Sequence, residues 1–151
     1  MNRTAILALA LLISLPACTS APLRRGIACE RAPAPIGPYS QAVQVGELLF
    51  LSGQIGLDAA DGALVAGGIR EETRRALDNL GAILGEAGFS FDDVVSTTVY
   101  LADLAEVAAM NEIYAARFAS SRVAPARATV GVAGLPRGAR VEIAAVALRK
   151  R

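Results

Sequence analysis

The 151-residue chain contains no histidine and only two cysteines, Cys18 and Cys29. Without imidazole there is no His-based metal site, no Ser–His or Cys–His pair, and no histidine acid–base chemistry. Two thiols cannot build a tetrahedral thiolate cage. An excess of one charge is also missing: 15 basic residues face 14 acidic ones, for a formal net charge of +1. No basic stripe or block of like charge occurs, so nucleic acid is not an expected partner and a nuclease reading is disfavoured. The apolar run Ala5–Leu15 is only about a dozen residues, too short for a permanent membrane-spanning helix. Any chemistry must therefore use Arg, Glu, Asp, Ser, Thr, Tyr or backbone groups.

The first residues, "MNRTAILALALLISLPACTS", combine a basic start at Arg3, the apolar run, and small residues after it. This is the pattern of a secretory signal, assigned to residues 1–17 and set apart from the fold. "LPAC", ending at Cys18, resembles the lipobox of bacterial lipoproteins. That resemblance implies a lipidated Cys18 as the first mature residue, and a periplasmic or cell-envelope protein. Cleavage after Ala21 is the alternative. Without Arg3 the chain carries 14 basic and 14 acidic residues. Residues 18–31, rich in Ala, Pro and Arg, read as a tether, with the domain spanning 32–151. Cys29 is then a lone thiol in that tether. If Cys18 is not lipidated, a Cys18–Cys29 disulfide is the alternative in an oxidising compartment.

Within the domain, "AVQV" (42–45), a Gly46-Glu47 turn and "LLFLSG" (48–53) predict a β-hairpin. Residues 58–68 form a loop with Asp-Gly and Gly-Gly signals. From 69 to 88, Ile69, Thr73, Ala76, Leu77, Leu80, Ile83, Leu84 and Ala87 recur at spacings of three and four, which predicts an amphipathic helix. Glu71 and Glu72 suit the positive end of its dipole, and Gly88 suits its C′ position. "VVSTTVYL" (94–101) is β-branched and aromatic, hence a central strand. Asp103 caps a second helix, with Glu106 in capping-box position. Its stripe of Leu104, Val107, Ala108, Tyr114, Ala115 and Phe118 is interrupted by Asn111, which must either pin a loop or face a polar pocket. Two further strands, about 126–132 and 140–148, read as a hairpin closed by "GLPRG". The result is an α+β fold: a mixed sheet with two helices on one face. The other face would stay apolar and exposed in a monomer, which predicts self-association.

Arg127 and Glu142 sit inside the otherwise small, apolar residues of the last two strands. In the hairpin register that sets Glu142 opposite Gly131, both charges share one face, about four residues and roughly 13 Å apart. One reading is an ion pair that pins register or a subunit contact. The other is chemical. A guanidinium fork suits a carboxylate ligand, and a sheltered carboxylate suits acid–base work in a chain without histidine.

The segments "APAPIGPYSQAV", "LFLSGQIGLD", "REETRRALDNLGAILGEAG", "VVSTTVYLAD", "MNEIYAARF" and "PARATVGVAGLPRGARVEIAAVA" resemble, in order and spacing, the motifs of the RidA (reactive intermediate deaminase, or YjgF) family. The resemblance runs from about Ala32 to the C-terminus. It implies a chorismate-mutase-like fold and a homotrimer whose sheets form a central barrel, with clefts between subunits. It implies cofactor-independent hydrolysis of enamine and imine intermediates to 2-oxo acids and ammonia, with no metal. By the same resemblance Arg127 clamps the substrate carboxylate and Glu142 orients or activates water. Tyr39, Ser52 and Gly53 line the cleft, Asn111 stands near its wall, and Thr129 takes a position where well-known members have cysteine. Thr129 keeps a hydroxyl but has no reactive thiol. A non-catalytic trimer that binds small carboxylates on the same scaffold is the alternative function.

Overall fold

The computed structural model describes residues 23–149. The proposed signal segment and Cys18 lie outside the described residues. Six strands and two helices follow one another as β1 (Arg24–Ile27), β2 (Ala42–Val45), β3 (Leu48–Ile55), α1 (Gly68–Glu86), β4 (Val94–Leu101), α2 (Val107–Phe118), β5 (Ala126–Gly131) and β6 (Val141–Leu148).

The fold starts earlier than the tether assignment of 18–31 allows. β1 pairs antiparallel with β2, Arg24 opposite Val45 and Ile27 opposite Ala42. Cys29 and Ala32 are buried in the main core. The reason is one side chain. The Gln41 Oε1 accepts the Cys29 N–H at 2.6 Å, and its Nε2 donates to the carbonyls of Cys29 (3.0 Å), Ala32 (3.3 Å) and Pro33 (2.9 Å). A buried amide that satisfies four backbone groups holds the segment to the sheet without regular secondary structure.

β2 and β3 form the expected hairpin. The last two strands do not. The strand order is β1-β2-β3-β6-β4-β5, so β4 lies between β5 and β6. β6 is antiparallel to both β3 and β4, and β5 is parallel to β4. Two parallel strands joined through a helix need a crossover. α2 supplies it between β4 and β5, and α1 supplies it between β3 and β4, with β6 inserted into the gap. The "GLPRG" stretch therefore spans a strand instead of turning a hairpin.

Strand alternation then sorts the two faces. Leu49, Leu51, Val99, Leu101, Val141, Ile143, Ala145 and Ala147 are buried against the helices in one core. Leu48, Phe50, Val130 and Leu148 lie on the opposite face and remain 38%, 46%, 40% and 42% exposed.

α1 packs on β3 and β6. It ends as expected: Gly88 adopts φ 75°, its N–H bonds to the Gly85 carbonyl, and the Phe89 N–H bonds to the Leu84 carbonyl. This is a Schellman closure, and a side chain at 88 would strain it. Its start differs. Only Glu71 serves the first turn. Glu72 is buried and accepts the Arg140 backbone N–H at 2.7 Å.

α2 also departs from expectation. Asp103 caps a short 3-10 turn, Leu104–Glu106, through the Ala105 N–H at 2.9 Å. Glu106 is drawn away from any capping box by Arg140, whose Nη1 donates to it at 2.7 Å. The buried stripe is Met110, Tyr114 and Phe118, with Val107 and Ile113 beside it, so Leu104, Ala108 and Ala115 fall outside it.

Gln41→Leu is expected to destabilise the fold by about 1–3 kcal/mol, because it strands buried backbone groups without adding a donor. Urea unfolding of the full chain checks this, and a midpoint at the wild-type concentration would remove Gln41 from its pinning role.

Candidate functional site

The β3–β6 ladder loses register between Leu51, which pairs with Ala145, and Gln54, which pairs with Ile143. Two residues of β3, Ser52 and Gly53, thus face one residue of β6. Such a bulge bends the strand and re-aims its neighbours. Ser52 is fixed there: its Oγ donates to the Ser40 carbonyl at 2.7 Å and its N–H to the Gln41 carbonyl at 3.0 Å. Gly53 leaves its side-chain space to Glu142. A Cβ built on it would lie 2.6 Å from the Glu142 Cδ and 2.8 Å from its Cγ. A side chain at 53 would have to push the Glu142 carboxylate out of its place.

Glu142 is half-buried on the face away from the helices, opposite Tyr100 of β4. Among the described residues its carboxylate has no hydrogen bond or ion pair. Burial alone raises its pKa above the ordinary carboxylate value. A desolvated carboxylate without a partner holds a proton more readily and is suited to taking one up.

Glu142, Ser52 and Gly53 share an open cleft of about 320 Å³ with Ile36, Tyr39, Ile55 and Pro136. That volume suits a small organic molecule. The Tyr39 hydroxyl accepts the Ile36 N–H at 3.2 Å, closing a tight turn over the rim. Buried polar groups of α1 fix the far wall. Asn79 Nδ2 donates to the carbonyls of Ile55 (3.2 Å) and Leu57 (3.0 Å), and Glu72 holds the backbone just before Glu142.

The structure therefore brings together Tyr39, Ser52, Gly53 and Glu142. It sets Arg127, Thr129 and Asn111 apart from them. Arg127 pairs with Thr97 and so lies on the helix side of the sheet, where its guanidinium carbon sits 4.6 Å from the centre of the Tyr114 ring. The expectation that Arg127 and Glu142 share a face is overturned. β4 separates their strands, and strict alternation places them on opposite faces. They form no ion pair in this chain. Thr129 lies two residues along β5 from Arg127, and Asn111 one helical turn before Tyr114. The Thr129 Oγ1 and Asn111 Oδ1 are buried without a hydrogen-bond partner among the described residues. Asn111 thus pins no loop in this chain.

Sequence reasoning missed the wall residues Ile36, Ile55 and Pro136, and the supports Gln41, Glu72 and Asn79. A signal existed for two of these. Glu72, Ala76, Asn79 and Ile83 recur at helical spacing, which places both polar residues on the buried face. Among the described residues no three His, Cys, Asp or Glu side chains group as a metal site would require.

Because the folded-state pKa of Glu142 lies above its unfolded value, wild type gains stability as pH falls through the folded value. Glu142→Gln removes the desolvated charge. The variant should melt above wild type near neutral pH, with the gap closing as the pH is lowered through the carboxylate range. Melting curves across pH check this, and a constant gap would mean that the carboxylate is not desolvated.

The family described as Endoribonuclease L-PSP matches residues 29–149. The chain is 54% identical over 127 residues to a mouse 2-iminobutanoate/2-iminopropanoate deaminase, covering 84% of this chain and 93% of that protein. A putative endoribonuclease from Thermotoga maritima superposes with a TM-score of 0.80 at 46% identity, covering 84% of this chain and 98% of that one. The YjgF gene product of E. coli superposes with a TM-score of 0.79 at 41% identity, covering 83% and 99%.

Proposed function

This chain belongs to the RidA/YjgF family, the one described as Endoribonuclease L-PSP, and from that premise we propose that it hydrolyses small imine and enamine carboxylates of the 2-aminoacrylate type to 2-oxo acids and ammonia. The observation that carries the proposal is the desolvated, unpartnered Glu142 carboxylate against Gly53 in a cleft of ligand size. The mouse relative's name, an imine deaminase, supports the same reading.

In this mechanism an enamine first takes a proton on its terminal carbon and becomes the iminium ion, the protonated form of the imine. Glu142 accepts a proton from water as the water oxygen attacks the imine carbon. The resulting carbinolamine receives that proton on nitrogen. As the C–N bond breaks, the hydroxyl proton passes to Glu142, ammonia leaves and the 2-oxo acid remains; that proton offsets the one the enamine took up, so one water is consumed per ammonia released. A raised pKa on the carboxylate favours both halves of this transfer.

The substrate carboxylate needs a cation, and among the described residues the cleft lining contains none. We propose that a homotrimer supplies it. Covering the apolar outer face of the sheet with neighbouring sheets, as in a central barrel, would set the β5 edge of one copy against the cleft of the next. Arg127, Thr129 and Asn111 would then complete the neighbour's site. The exposed Arg127 supports this arrangement.

Expected outcomes separate these roles. Glu142→Gln should lower turnover by roughly 10²–10⁴-fold while 2-oxo acid binding persists. Arg127→Ala should weaken 2-oxo acid binding by about 1.5–3 kcal/mol, with poor rescue by lysine. Hybrid trimers assembled from the two inactive variants should recover about a quarter of wild-type activity, since one random site in four takes its cleft and its edge from intact halves. No recovery, or a monomer in sedimentation equilibrium, rules out the shared site. A wild type that binds 2-oxo acids yet never accelerates ammonia release is a binding protein instead.

Export and lipid attachment at Cys18 remain part of the proposal, on the strength of the apolar run and "LPAC". The native protein should carry acyl chains on an N-terminal Cys18. An intact Met1, or an unacylated start at Pro22, in mass spectrometry would exclude that anchor.

A further inference from the structure

We propose that Tyr114 is the positioning residue for Arg127: its ring, clamped in the core by Thr97 and Phe118, is the surface on which the guanidinium is laid out for a ligand carboxylate. The inference rests on the reading of Arg127 as the carboxylate clamp.

An arginine on an edge strand has four rotatable side-chain bonds and large rotamer entropy to lose on binding. Arg127 is exposed on β5 and makes no ion pair among the described residues. Its guanidinium carbon lies over the face of Tyr114, 4.6 Å from the ring centre. A cation over an aromatic face at this distance is attracted by the ring quadrupole, while its N–H edges stay free for a carboxylate.

The ring itself is immobilised from two directions. Its hydroxyl is 2.7 Å from the Thr97 Oγ1, and its plane is tilted 36° against Phe118 with centroids 4.7 Å apart. Thr97 is also the direct cross-strand partner of Arg127. The same strand position that anchors the ring therefore sets the backbone from which the arginine extends. Tyr114 and Thr97 are both buried, and burial raises the phenol pKa, so the ring stays neutral and holds Arg127 by its face instead of by charge. Sequence periodicity had marked Tyr114 only as a core residue of α2.

The test uses the full-length chain and calorimetric binding of 2-oxobutanoate, with 2-iminobutanoate kinetics in parallel. Tyr114→Leu and Tyr114→Met remove the ring face at similar burial. Each should raise Kd and KM by about three- to thirtyfold, the range of a cation–aromatic contact, and kcat should change far less. Tyr114→Phe keeps the face and should restore binding to within about twofold of wild type. In an Arg127→Ala background, Tyr114→Leu should add nothing, because the ring acts only through the arginine. If Arg127→Ala alone leaves Kd unchanged, the clamp reading fails. If Arg127→Ala weakens binding but Tyr114→Leu adds its full effect on top, the clamp stands and the positioning role is overturned. Should the aliphatic variants not fold, proton NMR of the wild type decides. The Arg127 side-chain methylenes must show an upfield ring-current shift, and resonance at free-arginine positions overturns the proposal.

Discussion

Glu142 occupies the space that a side chain on residue 53 would fill, and the site depends on that exchange. With glycine at 53 and the strand bowed, the carboxylate sits this close to the backbone without being displaced. The register break at Ser52 and Gly53 supplies the bow. The same break aims Ser52 at Ser40, which continues into the Tyr39 rim. The carboxylate is thereby desolvated without being neutralised by a cation, and its pKa rises. A lysine or arginine in direct ion-pair contact with it would have stabilised the charge and lowered the pKa instead.

The walls of the cleft are held by buried polar side chains, not by apolar packing alone. Gln41 ties down residues 29–33, Asn79 ties down residues 55–57, and Glu72 ties down the entry to β6. Residues 29–33 lie outside the strand ladder, and residues 55–57 lie at its end. Each buried amide or carboxylate satisfies backbone groups that would be costly to leave unpaired. α1 thus serves as a post that faces the core with its aliphatic stripe and the cleft's backing with its polar one.

Strand order divides the remaining machinery between two faces. With β4 between β5 and β6, Arg127 belongs to the helix side and Glu142 to the open side. A single chain cannot apply both charges to one small molecule. The exposed apolar face and the exposed Arg127 are the features the proposed trimer accounts for together. Within its own chain, the arginine is prepared by aromatic stacking.

The sequence by itself determined what is set within a few residues of the chain. The period of α1, its glycine closure at Gly88, the β2–β3 hairpin and the β-branched strand β4 all follow from local sterics, capping and alternation. The absence of histidine already narrowed the chemistry to groups such as Arg127 and Glu142. Only the tertiary structure decided that β6 inserts between β3 and β4, that residues 24–32 join the fold, and that Glu72 and Asn79 turn inward as supports. These outcomes rest on hydrogen bonds between residues far apart in the chain, as in the 68-residue separation between Glu72 and Arg140. Such pairings are chosen by burial and backbone satisfaction across the whole sheet. A one-residue change of register reverses which face a charge occupies, and no local pattern around Arg127 or Glu142 encodes that choice.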